Sequence, residues 1–415
     1  MILNGSNGIN DAGKMIFLRK LVLACVILLS GGNLLIPRIP LAVVTLLLII
    51  AYLSHHIFDG RQDRFKIYTW TLLVVSLSFV RLDHVDIIAN ATRILNFIIG
   101  ILIIYIYSDD NLTDKFSSDY QSLCMPLAYV SIITFILGSM LPSVFSLVVG
   151  ERQEMYSLLL IFNYSSISTE YTGAVRTIGF FWEPGVFQIY LNVLLFVLFL
   201  KKQSVINITL AVAAIFATQS TTGIVIACMQ IGYFSLISVR RQGGVLAKLA
   251  IPVAAAVSAP FIYDIVLQNL NEKLLGVLAG STTARQFDFE LAMYIIKNNP
   301  IFGIGFSPIA FIEQAATSGL DTSRLSMDDQ NIRANTNGAM MVLYTTGLPL
   351  GMYFLSSLFF QKIFTERVLF GFLLLTALIT SPLAFTPFFL MFAFSGMSKT
   401  NALQANDSIQ GEGRQ

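Results

Sequence analysis

Charged side chains are scarce in this sequence, and their scarcity excludes most classes of soluble protein. Asp, Glu, Lys and Arg together make up 12% of the 415 residues, whereas 55% of the residues are hydrophobic. A soluble domain usually carries about 25% charged residues. Several apolar stretches also reach the length of about 20 residues that a helix needs to cross a bilayer core roughly 30 Å thick. The sequence therefore predicts a membrane protein that crosses the bilayer many times.

Cysteine and histidine are equally rare, with three residues of each type. The cysteines lie in or beside apolar segments and show no CxxC or Cys/His spacing, so neither a disulfide framework nor a zinc site is predicted. The net formal charge is only +2, and this near-balance gives no support for nucleic-acid binding. The residues concerned are Cys25, Cys124, Cys228, His55, His56 and His84.

About twelve apolar segments have the length and composition of membrane helices. Lys14, Arg19 and Lys20 lie before the continuous apolar run of the first segment, and no small-residue cleavage site follows, so we expect a membrane helix rather than a removed signal peptide. The segments at 204–217 and 367–380 are the shortest, and the second could pair with its neighbour as a re-entrant hairpin. In chain order the segments lie near 16–35, 39–57, 66–81, 86–107, 122–149, 184–200, 204–217, 220–238, 247–267, 336–360, 367–380 and 382–397.

These segments predict an all-α polytopic membrane protein with two long hydrophilic loops, in which we expect amphipathic helices. The polar stretch after the last segment is predicted to be disordered. In chain order the expected units are helices 1–5 in 1–149, the first loop in 150–183, helices 6–9 in 184–267, the second and larger loop in 268–335, helices 10–12 in 336–397, and the tail in 398–415.

Lysine and arginine predict the orientation, because short cytoplasmic loops carry an excess of these residues. With the N-terminus and C-terminus in the cytoplasm, both long loops face outward, and the short outer turns hold little beyond Arg38 and Arg81. An acidic inner loop at 108–119 is the one exception, but acidic residues contribute little to orientation. The inner connections then carry Arg61, Arg64, Lys66, Lys115, Lys201, Lys202, Arg240, Arg241, Lys248, Lys362 and Arg367, and the tail carries Lys399.

The first outer loop ends in RTIGFFWEPG at 176–185, directly before a membrane segment. A guanidinium stays charged and matches the oxygens of a phosphate, so Arg176 is a candidate anion clamp. Trp182 could hold a lipid or sugar face, and Pro184 suits the start of a helix. Topological anchoring is the alternative, because Trp and basic residues commonly mark membrane boundaries. Earlier in this loop, the apolar piece YSLLLIF at 156–162 could lie on the membrane surface.

The second outer loop contains a predicted amphipathic helix within 281–305. Arg285, Phe289, Met293 and Ile296 share one helical stripe, which would place a guanidinium on or beside the packed face. The alternative role for Arg285 is a salt bridge to Asp288 at i+3.

Two further features of this loop are candidate binding elements. The turn PIFGIG at 300–305 permits close backbone approach through Gly303 and Gly305, as a tight turn or as a ligand cradle. Arg333, Asn335 and Asn337 lie at the mouth of the tenth segment. They could bind a ligand or simply cap a membrane helix.

The order of these motifs resembles the Wzy-type polymerases of bacterial O-antigen and capsule, in the superfamily that also contains the O-antigen ligases. The resemblance rests on 176–185, on 281–305, and on 333–351, which ends in TTGLPLG. It also rests on the number of membrane segments and on the outward placement of both long loops. It implies a fold like that of the GT-C membrane glycosyltransferases.

The resemblance also implies a function. Such enzymes join oligosaccharide repeat units carried on undecaprenyl diphosphate, at the periplasmic face of the bacterial inner membrane. Arg176 and Arg285 would then bind the leaving diphosphate with help from Arg333, and no metal or other cofactor is implied. Expected partners are the lipid-linked oligosaccharide, the bilayer, and a flippase and chain-length regulator of the same pathway. The implied substrate-binding residues are Arg333, Asn335, Asn337, Trp182, Gly303 and Gly305.

The chain departs from this family at one position that matters for proton transfer. Ligases and many polymerases show a histidine just before the asparagine at the helix mouth, but here Thr336 precedes Asn337 and no histidine lies in 268–335. Threonine is a poor base at neutral pH. Glu183 is the first candidate base, because it is close in sequence to Arg176 and a carboxylate at an interface can have a shifted pKa. Its alternative role is that of an acidic residue at a helix N-terminus, favoured by the helix dipole.

Two other functions stay open from the sequence. An O-antigen ligase would share the architecture, but the missing histidine argues against it. A transporter or flippase of the lipid-linked unit would place charged or helix-breaking residues near the bilayer midplane. Asn90 and Arg93, inside the fourth apolar segment, fit that alternative.

Overall fold

A computed structural model of the chain shows that most of its elements are helices, as predicted. The ninth apolar segment, the tail 399–415 and the candidate residues Arg333 and Asn335 lie outside the described residues. The structure describes 5–32, 36–54, 65–79, 87–107, 112–149, 154–168, 173–242, 279–321, 327–328, 331–332 and 336–398. The helices are α1 Gly5–Gly31, α2 Arg38–Ser54, α3 Phe65–Phe79, α4 Ile87–Ile106, α5 Leu112–Met140, α6 Pro184–Leu200, α7 Val205–Ala217, α8 Thr221–Gln242, α9 Ala279–Asn298, α10 Pro308–Thr317, α11 Gly338–Ser357, α12 Arg367–Thr380 and α13 Pro387–Met397.

The apolar helices support a membrane-embedded protein. By length and composition, three stretches in the described part can cross a membrane: Leu112–Met140, Thr221–Ser238 and Gly338–Phe360. Six shorter apolar helices accompany them, namely Arg38–Ser54, Asn90–Ile106, Pro184–Leu200, Val205–Ala217, Arg367–Thr380 and Pro387–Met397. The count of twelve spans and their orientation remain predictions.

Helices α6 and α13 form the centre of the bundle. Both are mostly apolar, and nearly every residue of each is buried, including the polar Gln188 and Asn192 of α6. A helix of this kind is stable only when neighbours cover all its sides. Helix α13 packs on α4, α1 and α11, and α6 packs on α5, α7 and α8.

The prediction of an acidic inner loop at 108–119 is wrong for its second half, because α5 begins at Leu112. Asp119 is buried in that helix, and Arg19 of α1 donates to both of its carboxylate oxygens, with Nε–Oδ2 2.5 Å and Nη2–Oδ1 3.2 Å. The Tyr107 hydroxyl donates to the same carboxylate at 3.1 Å. A buried carboxylate is tolerated when it is paired and hydrogen-bonded in this way. This ion pair ties α1 to α5 at the N-terminal end of α5.

The all-α prediction is wrong in the first outer loop, where the chain forms a four-stranded antiparallel sheet in the order β1-β2-β3-β4. A cluster of Phe145, Tyr164 and Val175 forms its small core. Successive side chains of a strand point to opposite faces of the sheet. The continuous apolar run at 158–162 lacks the alternation of apolar and polar residues that would indicate a strand. The strands are β1 Ser146–Val149, β2 Glu154–Leu158, β3 Phe162–Ser168 and β4 Gly173–Thr177; a separate two-stranded pair is formed by β5 Met327–Asp328 and β6 Asn331–Ile332.

The piece 156–162, expected on the membrane surface, is the β2–β3 hairpin. Tyr156 pairs with Tyr164 and Leu158 with Phe162 in the antiparallel register. Leu159 and Leu160 at the tip have positive φ values of 57° and 58°, and their side chains are exposed, Leu159 to 76%. The apolar residues of the tip thus point away from the sheet core, so the predicted apolar surface exists but is carried by a turn.

Candidate functional site

The motif at 176–185 joins the sheet to the central helix α6. Strand β4 ends at Thr177, whose hydroxyl shares a 2.7 Å hydrogen bond with that of Ser131 in α5. The chain then turns at Gly179, which has φ 57° and whose carbonyl accepts from Asn163 Nδ2 at 2.8 Å. Helix α6 begins at Pro184, in the first helical position that proline favours. The motif is therefore held at both ends.

Phe181 and Trp182 pack on the C-terminal end of α1. Phe181 is buried and stacks on Tyr190, with ring centroids 4.7 Å apart. A Cβ atom at Gly31 would lie 2.2 Å from its ring, so the backbone of α1 and the phenyl ring are in close contact. Trp182 covers the next residue, Gly32, and its Cδ1 would lie 2.9 Å from a Cβ there. These aromatic residues are packed structural elements as well as candidate binding surfaces.

Arg38 is a second arginine of this region that the sequence did not single out as a site residue. Its Nη2 lies 3.3 Å from the position of a Cβ at Gly32, the same point that Trp182 approaches. Arg38 is exposed and begins α2. A guanidinium and an indole therefore meet at the end of α1. The signal available in the sequence was only that Arg38 is one of few basic residues in the predicted outer turns.

Arg176 lies on β4 opposite Ser165 of β3. Its neighbours Val175 and Thr177 are buried and face α5, since a Cβ at Gly138 would lie 2.9 Å from Val175 and Thr177 bonds to Ser131. Because side chains alternate along a strand, Arg176 points to the opposite face of the sheet. The residue is half-buried and its Nε atom is shielded from solvent. A shielded guanidinium interacts with an anion more strongly than one in bulk water.

Glu183 is the N-cap residue of α6, and its carbonyl accepts from Val186 N and Phe187 N, both at 3.2 Å. Its side chain folds over the first turn, where Oε1 lies 3.2 Å from the position of a Cβ at Gly185. A carboxylate in this place is stabilised by the helix dipole. The geometry therefore favours the alternative role that the sequence left open for Glu183.

The predicted packed stripe on α9 is wrong for three of its four residues, because Arg285 is exposed and Phe289 and Met293 are each 48% exposed, whereas Ile296 is buried as predicted. The helix packs instead through Phe287, Leu291 and Ile295. Its sequence carries apolar residues along two stripes, and periodicity could not decide which one meets the bundle. Arg285 thus begins an outward apolar stripe.

Asp288, the expected partner of Arg285, contacts another residue. It is only 8% exposed, and its Oδ2 accepts from Thr336 N at 2.8 Å and from the Thr336 hydroxyl at 2.7 Å. Within the described residues Arg285 forms no ion pair with it. The carboxylate therefore fixes Thr336, just before Asn337 at the start of α11.

Arg93 joins this region from α4. It donates from Nη1 to the carbonyl of Phe306, and its guanidinium carbon lies 4.8 Å from the centre of that phenyl ring. Arg93 and Asp288 both act electrostatically on the hydroxyl of Tyr344 in α11. We call Arg93, Asp288, Phe306, Thr336 and Tyr344 the Arg93 cluster. Charged residues inside an apolar segment are rare and commonly functional, which is the signal that pointed to Arg93 in the sequence.

The glycines of the PIFGIG turn lie against the backbone of α11 and do not form an open cradle for a ligand. Gly303 has φ 64°, and a Cβ there would lie 2.4 Å from the carbonyl oxygen of Tyr344. Helix α11 is broken at Gly347, whose φ is 78° and ψ 165°. The two elements exchange hydrogen bonds: Ile304 N to Tyr344 O at 2.8 Å, Gly305 N to Thr345 O at 3.0 Å, and Leu348 N to Pro300 O at 2.7 Å.

This exchange has a simple cause. Pro349 has no N–H, so the carbonyl of Thr345 loses its partner within the helix, and Gly347 turns Leu348 N away from Tyr344 O. Freed backbone groups in an apolar environment must be satisfied elsewhere, and the turn at 300–305 does this. Its position in turn places Phe306 against Arg93. Gly303 and Gly305 are thus structural residues of the site.

Asn337 caps α11. Its Oδ1 accepts from Met340 N at 3.0 Å and its carbonyl accepts from Met341 N at 2.9 Å. This is the capping role that the sequence left open as the alternative to ligand binding.

The candidate residues lie at one end of the bundle. The hydroxyl of Ser30 at the end of α1 accepts from Phe388 N in the first turn of α13, at 2.9 Å. Phe385, just before α13, packs edge-on to Phe306 with ring centroids 4.9 Å apart. The end of α1 therefore connects the Trp182 region to the Arg93 cluster. Strand β4 itself packs on α5 and α7, whereas α9 packs on α11 and α10, so Arg176 and Arg285 are held by different parts of the scaffold.

Several arginines lie at this end of the bundle. Arg38, Arg93, Arg176 and Arg285 bring guanidinium groups to it, and guanidinium forks match phosphate oxygens. Among the described residues, no group of three or more His, Cys, Asp or Glu side chains could hold a metal ion. The arrangement thus offers fixed positive charge and one buried carboxylate, Asp288.

Comparisons with profiles of known protein families, with curated proteins and with solved structures each found no match. The resemblance described from the motifs therefore stays a prediction, and the function is argued from the geometry of the site.

Proposed function

We propose that this protein polymerises oligosaccharide repeat units carried on undecaprenyl diphosphate, at the periplasmic face of the bacterial inner membrane. The observation that supports the proposal best is the placement of Arg38 and Arg93 at the end of the bundle where α6 and α13 begin, with Arg176 on the strand that leads into α6. Arginines at the edge of an apolar bundle suit a substrate whose charge is a diphosphate and whose tail is a lipid.

The reaction needs positive charge at the leaving group. The acceptor hydroxyl oxygen bonds to the anomeric carbon of the growing chain, and the bond from that carbon to the diphosphate oxygen breaks. The diphosphate leaves with the electron pair, and the acceptor hydroxyl loses its proton. Guanidinium groups placed in advance around the diphosphate stabilise the charge that develops on it. In this proposal Arg176 binds the diphosphate and Arg38 lies beside it.

The proton of the acceptor requires a base, and the structure changes the leading candidate. Glu183 caps α6 with its side chain folded over Gly185. Asp288 accepts a hydrogen bond from the hydroxyl of Thr336, just before α11. The Wzy-type polymerases and ligases that the motifs resemble commonly have a histidine at this position. We therefore propose Asp288, supported by Thr336, as the base in place of Glu183. Arg285 and Arg333 remain proposed contacts to the substrate, with Arg285 on the exposed stripe of α9.

The experiment that tests this function is deletion of the gene in its host, followed by gel analysis of the surface glycan. Loss of a polymerase leaves core carrying a single repeat, whereas loss of a ligase leaves bare core. An intact ladder in the deletion strain would overturn the proposal.

Complementation then tests the anion contact. We expect wild type to restore the ladder, and we expect Arg176→Ala to leave mostly single repeats, because loss of one preorganised charge contact typically lowers a rate by about 10²–10³-fold. Arg176→Lys should recover part of the chain length, since it keeps the charge without the planar fork. Lys297→Ala, at an exposed cation near the end of α9, is the matched control and should behave as wild type. Membrane levels of each variant are measured by immunoblot, and a full ladder from Arg176→Ala would return Arg176 to an anchoring role.

A transporter of the lipid-linked unit is the second candidate, favoured by the break in α11 at Gly347. Discontinuous helices commonly offer unwound carbonyls to a cargo. Here the carbonyls of Tyr344 and Thr345 already accept hydrogen bonds from Ile304 N and Gly305 N. The carbonyls freed by the break are therefore occupied by the turn at 300–305. The two candidates differ in the deletion strain: loss of a transporter leaves lipid-linked repeats on the inner leaflet, and loss of a polymerase leaves them accessible to a lectin in the periplasm.

A further inference from the structure

A basic cavity lies at the end of the bundle opposite to the candidate site. It has a volume of about 340 Å³ and is bounded by the C-terminal ends of α11 and α13 and by the connection into α12. Lys66, Lys362 and Arg367 contribute three cations to its wall, and Tyr353 and Ser356 contribute hydroxyls. Cavities of roughly 300–1,000 Å³ are typical of small-molecule sites.

The wall of this cavity is rigid where the two helices meet. Gly396 of α13 packs directly on α11, since a Cβ there would lie 1.9 Å from the carbonyl oxygen of Ser357. The hydroxyl of Ser395 accepts from Lys362 N at 2.9 Å. Lys362 Nζ donates to the carbonyl of Ser398 and lies 3.4 Å from the hydroxyl of that residue. The half-buried ammonium is thus positioned by the end of α13 rather than extended into solvent.

The three cations are not neutralised by the described part of the chain. Lys66, Lys362 and Arg367 form no ion pair there. Glu366, the neighbour of Arg367, is turned to another contact, where its Oε2 accepts from the Tyr233 hydroxyl at 2.5 Å. Burial lowers the pKa of Lys362, and the nearby charges of Arg367 and Lys66 lower that pKa further. Like charges held this close favour binding of an anion.

The apolar part of the rim indicates the kind of anion. Phe360 and Tyr353 border the cavity with side chains 62% and 37% exposed. Tyr353 lies on the flank of α11 and Phe360 in the 3₁₀ turn that follows it, and both belong to the candidate membrane span Gly338–Phe360. Basic pockets between membrane helices with an apolar border suit lipids that carry a phosphate in the headgroup.

We propose that this cavity binds the phosphate of an anionic membrane lipid, with Lys66, Lys362 and Arg367 around the phosphate and Phe360 and Tyr353 beside the glycerol and acyl portion. All three cations belong to the segments predicted to face the cytoplasm, so the lipid is one of the inner leaflet. The proposal does not depend on the polymerase assignment, because the cavity lies at the other end of the bundle from the Arg93 cluster.

The test uses the purified full chain in nanodiscs of phosphatidylcholine, with and without phosphatidylglycerol. Native mass spectrometry counts retained phosphatidylglycerol, and a titration of that lipid into detergent-solubilised protein gives the apparent affinity from the shift in unfolding temperature. Lys66→Gln/Arg367→Gln removes two exposed cations of the cavity, so the fold should persist. Lys201→Gln/Lys202→Gln, two cations at the end of α6 that do not line the cavity, is the matched control.

We expect the cavity variant to bind phosphatidylglycerol about tenfold more weakly than wild type, or weaker still, since each basic residue near an anionic headgroup contributes about 1 kcal/mol. The control variant should keep the wild-type affinity. Equal affinity of both variants would overturn the proposal, because it would show only general surface attraction. A stabilisation by inorganic phosphate as large as that by the lipid would also overturn the lipid assignment and identify the ligand as a free phosphate.

Discussion

Gly347→Ala is expected to prevent stable folding of the bundle. Gly347 has φ 78° and ψ 165°, a region that only glycine occupies without strain, and a Cβ there would lie 2.0 Å from the carbonyl oxygen of Ile301. The strain alone costs about 1–3 kcal/mol. The Cβ would also push the turn at 300–305 away from α11 and break the hydrogen bonds at Tyr344 and Leu348. A total loss of about 4 kcal/mol or more would remove much of the 5–15 kcal/mol by which proteins are typically stable.

Substitutions at two other glycines distinguish the backbone strain at Gly347 from the steric clash there. Gly319 has φ 74° but a Cβ there would meet nothing within 4 Å, so Gly319→Ala carries the backbone strain without the clash. We expect it to cost about 1–2 kcal/mol. Gly232 lies within α8 with open space around it, and Gly232→Ala should stabilise the helix by about 0.5–1 kcal/mol. Membrane expression and the unfolding midpoint in detergent give the order, and a Gly347→Ala protein as stable as Gly319→Ala would contradict the docking of the turn on α11.

The helices could be predicted best where the sequence marks both ends. The segment predicted at 184–200 agrees with α6, because Pro184 starts it and Lys201 and Lys202 end it. The segment predicted at 336–360 likewise agrees with α11 and the turn of 3₁₀-helix that follows. Proline, glycine and paired charges act locally, and local signals can be read without knowing the fold.

The predictions are wrong where a contact with a residue distant in sequence determines the local structure. Asp119 looked like a loop residue because a charge is expensive in an apolar helix, but Arg19 lies 100 positions away and pairs with it. The sheet at 146–177 could not be predicted because its strands have only 4–7 residues, and the apolar composition of 156–162 predicts a membrane-surface piece instead. On α9 two apolar stripes competed, and only the contact with α11 selects Phe287 and Leu291. Periodicity finds an amphipathic helix but cannot choose between two apolar faces.

The candidate site likewise has one part that the sequence predicts and one part that depends on contacts between residues distant in sequence. The region around Arg176 and Trp182 could be predicted because its motif is continuous and directly precedes α6. The Arg93 cluster could not, because it joins residues from α4, α9 and α11 that no spacing relates. The sequence shows its members only separately, as an arginine in an apolar segment and as a threonine just before Asn337. The hydrogen bond from Thr336 to Asp288 is what turns these separate observations into one site.

The second large effect is expected for Asp288→Asn, which tests the proposed base. The asparagine carbonyl can still accept from the backbone N–H and the hydroxyl of Thr336, so the end of α11 should stay in place while the negative charge is lost. Loss of a general base typically lowers a rate by about 10²–10⁴-fold. We therefore expect polymerisation of the host's own lipid-linked repeat by the purified protein to fall by that factor. Glu183→Gln, at the N-cap residue of α6, should change the rate only a few-fold.

The pH dependence separates a base from a positioning residue. A carboxylate base acts in its ionised form, so the wild-type rate should fall with decreasing pH in the acid range. Asp288→Asn should lack this acid limb while keeping the wild-type unfolding midpoint in detergent. A retained acid limb in Asp288→Asn, together with its loss in Glu183→Gln, would assign the base to Glu183 instead. A slow Asp288→Asn enzyme with an unchanged pH profile and a lowered midpoint would show that the carboxylate only holds Thr336 in place.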